Sequence, residues 1–374
     1  MSLAHTSSLL TAADEYPVHQ TPEPIAVAGS DLNFYDRFWF NAYSADGQPL
    51  VAVAMGVYPN LNIMDAAISV VHGGTQYSLF ASRLLDGDRM ATRVKPISVE
   101  VVEPLKKVRV RVDDNEHGIR AELVFTGRAP PIQEPRFTWR MGTRTIMDST
   151  RLTQSCTCEG WIEVAGERLA VHGWHGTRDR SWGVRSVGGA NKNPFPPDMK
   201  PQFFWLWCPF NGADHLMYFH TNDNAEGEPW NRSAVLVPLG KGEPQVVLEV
   251  RAELVFRSGT RHVRKATIRG RLADGGAVTL ELEPEWNFYM RGVGYTHATW
   301  GHSAYQGAYA THYESFRVDE IDETQPDTNH VQAACRAVLT LPDGRREVGR
   351  AMLEQLIIGA SQPYGFKELF DLAP

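Results

Sequence analysis

The chain has 374 residues, with 37 Lys and Arg against 44 Asp and Glu, a formal net charge of -7, and 43% hydrophobic and 22% charged residues. These are the values of an ordinary globular protein, so a disordered or fibrous chain is excluded, and without a basic surplus general nucleic-acid binding is excluded too. At about 150 residues per domain, two or three domains are expected.

The start, "MSLAHTSSLLTAADEYPVHQTPEP", has neither the basic n-region nor the continuous apolar run of a signal peptide. Residues 1–28 are therefore expected to be a flexible leader and the protein to be cytoplasmic. No stretch approaches the roughly 20 apolar residues of a membrane-spanning helix, which leaves peripheral membrane association open. Four cysteines, Cys156, Cys158, Cys208 and Cys335, are too scattered for a disulfide framework. The Cys156-x-Cys158 pair has no partner pair at a metal-site interval; both thiols read as packed side chains.

From residue 97 onwards the dominant period is two. Residues 97–112, 118–128 and 159–174 alternate side chains across a pleat, as do 245–256, 264–272 and 277–286. Asp-Gly and Gly-rich turns separate them, at 45–48, 113–118, 273–276 and 342–345. Residues 148–160 are expected to begin with a short helix, and 351–359 fit either strand or helix. The fold class is therefore all-β and antiparallel. The hexapeptide "RAELVF" occurs at 120–125 and again at 251–256, a hint of duplication. The Gly- and Pro-dense stretch 187–201 reads as a connector, giving one domain over 29–186 and a second over 202–374.

Chemistry concentrates just before that connector, in "HGWHGTRDRSWGVRS", residues 172–186. This stretch is either a catalytic loop or a polar seam. Asp179 stands among Arg178, Arg180 and Arg185, which favour its carboxylate, and near Trp174 and Trp182, whose burial would favour the acid. The histidines form a second group: His172 and His175, then His297, His302 and His312. The spacings of the first four put paired rings on opposite faces of a strand, so no metal site is expected and proton transfer is the better use of a histidine. Third come the aromatics, with ten tryptophans in the chain. Dense runs at 34–43, 203–207, 285–300 and 304–316 read either as barrel filling or as a cavity for a hydrophobic ligand whose π faces stabilise positive charge. No dinucleotide fingerprint, phosphate loop, H-E-x-x-H or G-x-S-x-G is present, and no cofactor is expected.

Two motifs together resemble a known superfamily: "G-x-R-D-R-S-W-G-x-R" at 176–185 and "G-x-G-Y-x-H-x-x-W-G-H" at 292–302. They are similar to motifs of the carotenoid 1,2-hydratases (hydroxyneurosporene synthases) and AttH-like proteins. The resemblance implies two lipocalin-like antiparallel β-barrel domains packed in tandem, acid chemistry on an apolar substrate, and a proton-donating aspartate at Asp179 beside Trp182. Arg180 stands where a histidine often follows that aspartate. The expected function is a cofactor-independent hydratase, isomerase or cyclase acting on an isoprenoid-like or polycyclic compound. Asp179, Tyr295, His297 and His302 are the expected catalytic residues, and Trp182, Trp300, Trp205, His175 and Tyr313 the expected substrate contacts. The alternative is a lipocalin-like carrier of a hydrophobic small molecule, with no chemistry of its own.

Overall fold

A strand that separates an apolar interior from water must alternate, and the strands with the cleanest period two are of this kind. In Arg120–Gly127, Ala121, Leu123 and Phe125 are buried while their neighbours are not. By contrast every residue of Leu50–Tyr58, "LVAVAMGVY", is buried, because both faces of that strand are covered. The computed structural model describes residues 10–19, 31–85, 88–185 and 200–374. Among them there is no α-helix, only short 3-10 turns between strands, and no helix long and apolar enough to cross a membrane. The stretch 148–160 lies within the strand Arg144–Val164, not a helix, and residues 351–358 within the strand Arg346–Ile358.

The strands form two antiparallel sheets in two compact units, Met1–Lys192 with Gly292–Ser315, and Asn193–Arg291 with Phe316–Pro374. In the first sheet Tyr309–Arg317, Thr75–Leu84, Ile63–His72, Leu50–Tyr58 and Phe34–Tyr43 are neighbours in that order. They are followed by Glu167–Arg185, Arg144–Val164, Arg120–Gly127, Lys107–Val112, Ile97–Glu103 and Arg93–Val94. Its two ends meet where the Tyr309 hydroxyl donates to the carbonyl of Lys95 at 3.0 Å, and Arg83 of the next strand donates to the carbonyls of Arg93 and Ala91, at 2.7 and 2.9 Å, so the sheet is a nearly closed barrel around one apolar core. The second sheet runs Gln245–Val246, Pro229–Pro238, His215–Asp223, Phe203–Asn211, Arg346–Ile358, Val331–Thr340, Ala277–Tyr289, Val263–Arg271 and Leu248–Phe256. Its two ends are consecutive in the chain, and Val247 bonds back to the carbonyl of Ala234, so this sheet also curls around a core of its own.

Each circuit is a meander whose last strand pairs with its first: Glu167–Arg185 with Phe34–Tyr43, and Arg346–Ile358 with Phe203–Asn211. This is the lipocalin-like barrel, twice. The repeated hexapeptide does not mark the repeat. Counting back from the closing strand, its first copy lies in the third strand and its second in the fifth. The expected second domain, 202–374, differs from the second unit because Gly292–Ser315 lies with the first, where Tyr309–Arg317 extends the sheet beside Thr75–Leu84. Residues 187–199 of the expected connector lie outside the described residues, as do 1–9 and 20–28 of the expected leader.

Residues 10–19 are not a free leader. Glu15 is fully buried and takes a two-pronged ion pair from Arg178, at 2.6 and 2.8 Å, and the Leu105 amide at 2.8 Å. His19 bridges Asp36 at 2.7 Å and Asp14 at 3.2 Å and stacks on Trp182 with ring centres 3.7 Å apart. A guanidinium so placed must have a carboxylate, since a buried charge without its partner is strongly unfavourable. Glu15→Ala is expected to lower unfolding stability by about 3–5 kcal/mol, read by urea denaturation; a loss below about 1 kcal/mol would mean that Arg178 does not depend on Glu15.

Candidate functional site

The stretch 172–185 is the end of a central strand, not a loop. Glu167–Arg185 bonds to Phe34–Tyr43 on one side and to Arg144–Val164 on the other, and its side chains point alternately into and out of the barrel. Arg178 and Arg180 point inward, opposite Phe40 and Phe38. Arg178 pairs with Glu15, and Arg180 with Asp36 at 2.6 Å. Trp182 also faces inward onto His19, and Trp174 belongs to the apolar core. Asp179 points outward between Trp39 and Thr153, 4.0 Å from Arg151 and within electrostatic reach of Arg185. The expectation that three arginines and two tryptophans surround Asp179 is therefore corrected. Arg185 alone of those five shares its face, because strand residues an odd number apart point to opposite sides.

Cross-strand register carries this outer face across the sheet. One row holds Phe80, Ala67, Ala54, Trp39, Asp179 and Thr153; the next holds Ser82, Asp65, Gly56, Arg37, Ser181 and Arg151. The segment Gly292–Ser315 contributes the remaining groups from its own side. Tyr295 accepts a hydrogen bond from Arg37 Nη1 at 2.7 Å, meets Trp39 edge-on at 6.3 Å, and packs against His302 at 4.6 Å between ring centres. The Ser303 amide donates to Asp65 Oδ2 at 2.7 Å, and His302 Nδ1 lies 3.9 Å from Asp65 Oδ1. Tyr58 folds back over Gly56, where any Cβ would strike its ring, and its hydroxyl reaches Asp65 at 3.4 Å.

Burial pushes the Asp65 carboxyl up to about 6, against the opposing pull of the Ser303 amide, Arg37 and Tyr58. Burial and the neighbouring Asp65 also hold the Tyr58 hydroxyl well above its ordinary value. Burial works against the charge of Arg185, but Tyr35, Tyr295 and Asp179 more than offset it and keep the guanidinium above its usual range. A void of about 10 Å³, room for one water, is lined by Asp65, His302, Phe80 and Trp300 among others.

The other expected residues divide. Trp300 stacks on His312, with ring centres 5.4 Å apart, and borders Phe80 at 6.1 Å. His297, His312 and Glu314 have ligand atoms within 4.8 Å of one another. However, His297 Nδ1 accepts the amides of Trp300 and Thr299, at 2.8 and 3.2 Å, which leaves its proton on Nε2 facing Glu314 at 3.2 Å. A metal would need the lone pair of that nitrogen, so the trio is a hydrogen-bonded group. His175 is half-buried on the outer face, its imidazole held below the ordinary value by burial and Arg128. Tyr313 stacks on His117 at 5.8 Å. Trp205 belongs to the second unit, where its indole donates to Glu354 at 2.9 Å.

That carboxylate also accepts from His330 at 2.9 Å and Gln332 at 2.8 Å. These donors outweigh burial and hold it down at about 2. Thus Asp179, Tyr295, His302 and Trp300 share one face, while Trp182 and Trp205 do not join them there. Sequence reasoning missed Arg37, Tyr58 and Asp65. The available signal was a lone charge in an apolar run: Asp65 is the single ionisable group in "IMDAAISVV", residues 63–71.

Two lipocalin-like barrels in one chain, the first with a buried ionisable outer face, define a tandem lipocalin-fold protein. The chain belongs to the family of unknown function DUF8625, whose model matches residues 10–367. Solved structures that share the fold include a candidate AttH from Nitrosomonas europaea, 14% identical, with TM-score 0.52 over 87% of this chain and 94% of that one. CghA, solved with Sch210972, is 11% identical with TM-score 0.53, over 87% of this chain and 88% of its own. Kievitone hydratase from Nectria haematococca aligns over 93% of each chain at 10% identity, with a TM-score of 0.47. At these identities the likeness shows the fold alone. No curated protein matches the sequence.

The raised Asp65 carboxyl has a stability consequence. Below pH 3.8 the group is protonated folded or unfolded; as pH rises towards 6 the unfolded chain loses that proton first, so the folded state loses ground. The shift from 3.8 to about 6 corresponds to about 3 kcal/mol. Asp65→Asn should therefore gain about 3 kcal/mol on wild type between pH 3.5 and pH 7. Denaturation at both pH values tests this, and a difference independent of pH would place the carboxyl at its ordinary value.

Proposed function

We propose that the protein is a cofactor-independent acid–base enzyme acting on a hydrophobic small molecule at the outer face of its first barrel. The observation that carries this reading is Asp65, a carboxyl raised to about 6 and set 3.9 Å from His302, beside a void lined by Phe80 and Trp300. A carboxylic acid that still holds its proton near neutrality is the group needed to protonate an alkene. Positive charge developing on the substrate would face aromatic rings. Water then adds to the cation and its surplus proton passes to His302 or back to Asp65, which completes a hydration; loss of a carbon-bound proton instead gives isomerisation.

Tyr295 is the neighbouring hydroxyl, oriented by Arg37. Asp179, which the sequence nominates as the donor, lies between Arg151 and Arg185; its role in this reading is to position Arg185 against Tyr295. A carrier would have no use for a proton-bearing carboxyl next to a histidine.

The test is incubation of the full-length protein with isoprenoid, steroid and phenolic alkenes, read by mass spectrometry for gain or loss of water. Asp65→Asn is expected to lose at least about 100-fold in kcat/KM, more than Asp179→Asn. The wild-type rate should fall about tenfold per pH unit above pH 6, as the acid is lost. Recovery of every bound compound unchanged would favour the carrier.

A further inference from the structure

The same face holds a guanidinium with fewer acceptors than it needs. Arg37 is 1% exposed. Its Nη1 donates to Tyr295 and its Cζ lies 4.5 Å from the centre of that ring, yet its Nε and Nη2 are buried without a hydrogen-bond partner. Arg185, set 4.8 Å over Tyr35, engages the same Tyr295 hydroxyl, and its Nε is unpartnered as well. The acids on this face do not fill the gap. Asp65 is turned to Ser303 and Tyr58, and Asp179 lies with Arg151 and Arg185.

The pattern of unmet donors is specific. Nε and Nη2 lie on one edge of the guanidinium plane and point the same way, the fork that meets both oxygens of a carboxylate at once. Buried donors are normally satisfied by protein, and those that are not call for a particular explanation. We propose that this edge of Arg37 is a carboxylate subsite, so that the substrate of the proposed acid–base reaction is a hydrophobic carboxylic acid and not a hydrocarbon. The inference rests on that reading for the word substrate, though not for binding.

Arg37 and Asp65 share one cross-strand row with Gly56 between them, so their backbones are about 10 Å apart, two strand spacings. A double bond a few carbons from the carboxylate would then lie beside Asp65. The void there holds about one water, so an acid enters by displacing part of the covering loop, which is bracketed by Gly294 and Gly307 with left-handed φ of +93° and +90°.

Calorimetric titration of the full-length protein with benzoate and with benzamide, its neutral isostere, tests the subsite. Benzoate should bind at least tenfold more tightly. Arg37→Met should abolish that preference and still fold, because the bond to Tyr295 that it gives up is offset by the removal of the two unsatisfied donors. Arg37→Lys, which keeps the charge but loses the fork, should weaken benzoate at least tenfold while leaving benzamide unchanged. Equal binding of the two probes, binding of neither, a preference that survives Arg37→Met, or benzoate binding that Arg37→Lys leaves unchanged would each overturn the proposal. Turnover plays no part in the readout. A lost preference leaves the acid–base reading standing, and a preference without any turnover would describe a carrier of carboxylic acids.

Discussion

Two guanidinium groups inside an apolar barrel are the constraint on which the first unit depends. Arg178 and Arg180 enter the interior of a barrel otherwise filled by groups such as Phe38, Phe40 and Phe125. Charges cannot stay there alone, because removing an ion from water costs several kcal/mol unless a partner offsets it. Asp36 is supplied by the adjacent strand. Glu15 comes from 163 residues away, so the N-terminal stretch must fold back to the barrel, and His19 stacked on Trp182 secures it there.

The outer face of the same strand follows from the inner one. With 178, 180 and 182 turned inward, Thr177, Asp179 and Ser181 must turn outward, into the company of Arg37, Trp39 and Arg151. The two units treat a carboxylate withdrawn from water in opposite ways. Glu354 in the second unit receives an indole, an imidazole and an amide and is held at about 2. Asp65 in the first is held less strongly, by the Ser303 amide, a 3.4 Å hydroxyl and, least of all, the Gly56 amide, and burial carries it to about 6. The number and quality of donors decide which way a buried carboxyl moves. A fully satisfied carboxylate braces the fold, whereas a poorly satisfied one keeps a proton to give.

Legibility in the sequence followed solvent exposure. Strands with one wet face, such as Arg120–Gly127, alternate and are plain to read, and with them the all-β class and the turns. The strands from 34 to 84 do not alternate, because both faces are covered, and Arg37, Tyr58 and Asp65 were hidden among them. The helix expected at 148–160 fails for a related reason: Arg144–Val164 is a long strand whose ladder bonds on both sides override weak local preference. The hexapeptide repeat was misleading, since six residues record a local preference and not a position in the circuit.

What the sequence determined by itself is parity. Once 172–185 is a strand, Asp179 and its adjacent arginines must lie on opposite faces, because the period of two is a property of the extended backbone. It also determined that two apolar cores would be built from alternating strands, since nothing else buries those side chains. Which face turned inward, which carboxylate reached which arginine, and that Tyr295 would meet Arg37 across 258 residues were decided by the tertiary structure. Register between strands, and the choice of segment that covers a sheet, are set by long-range packing that no local pattern encodes.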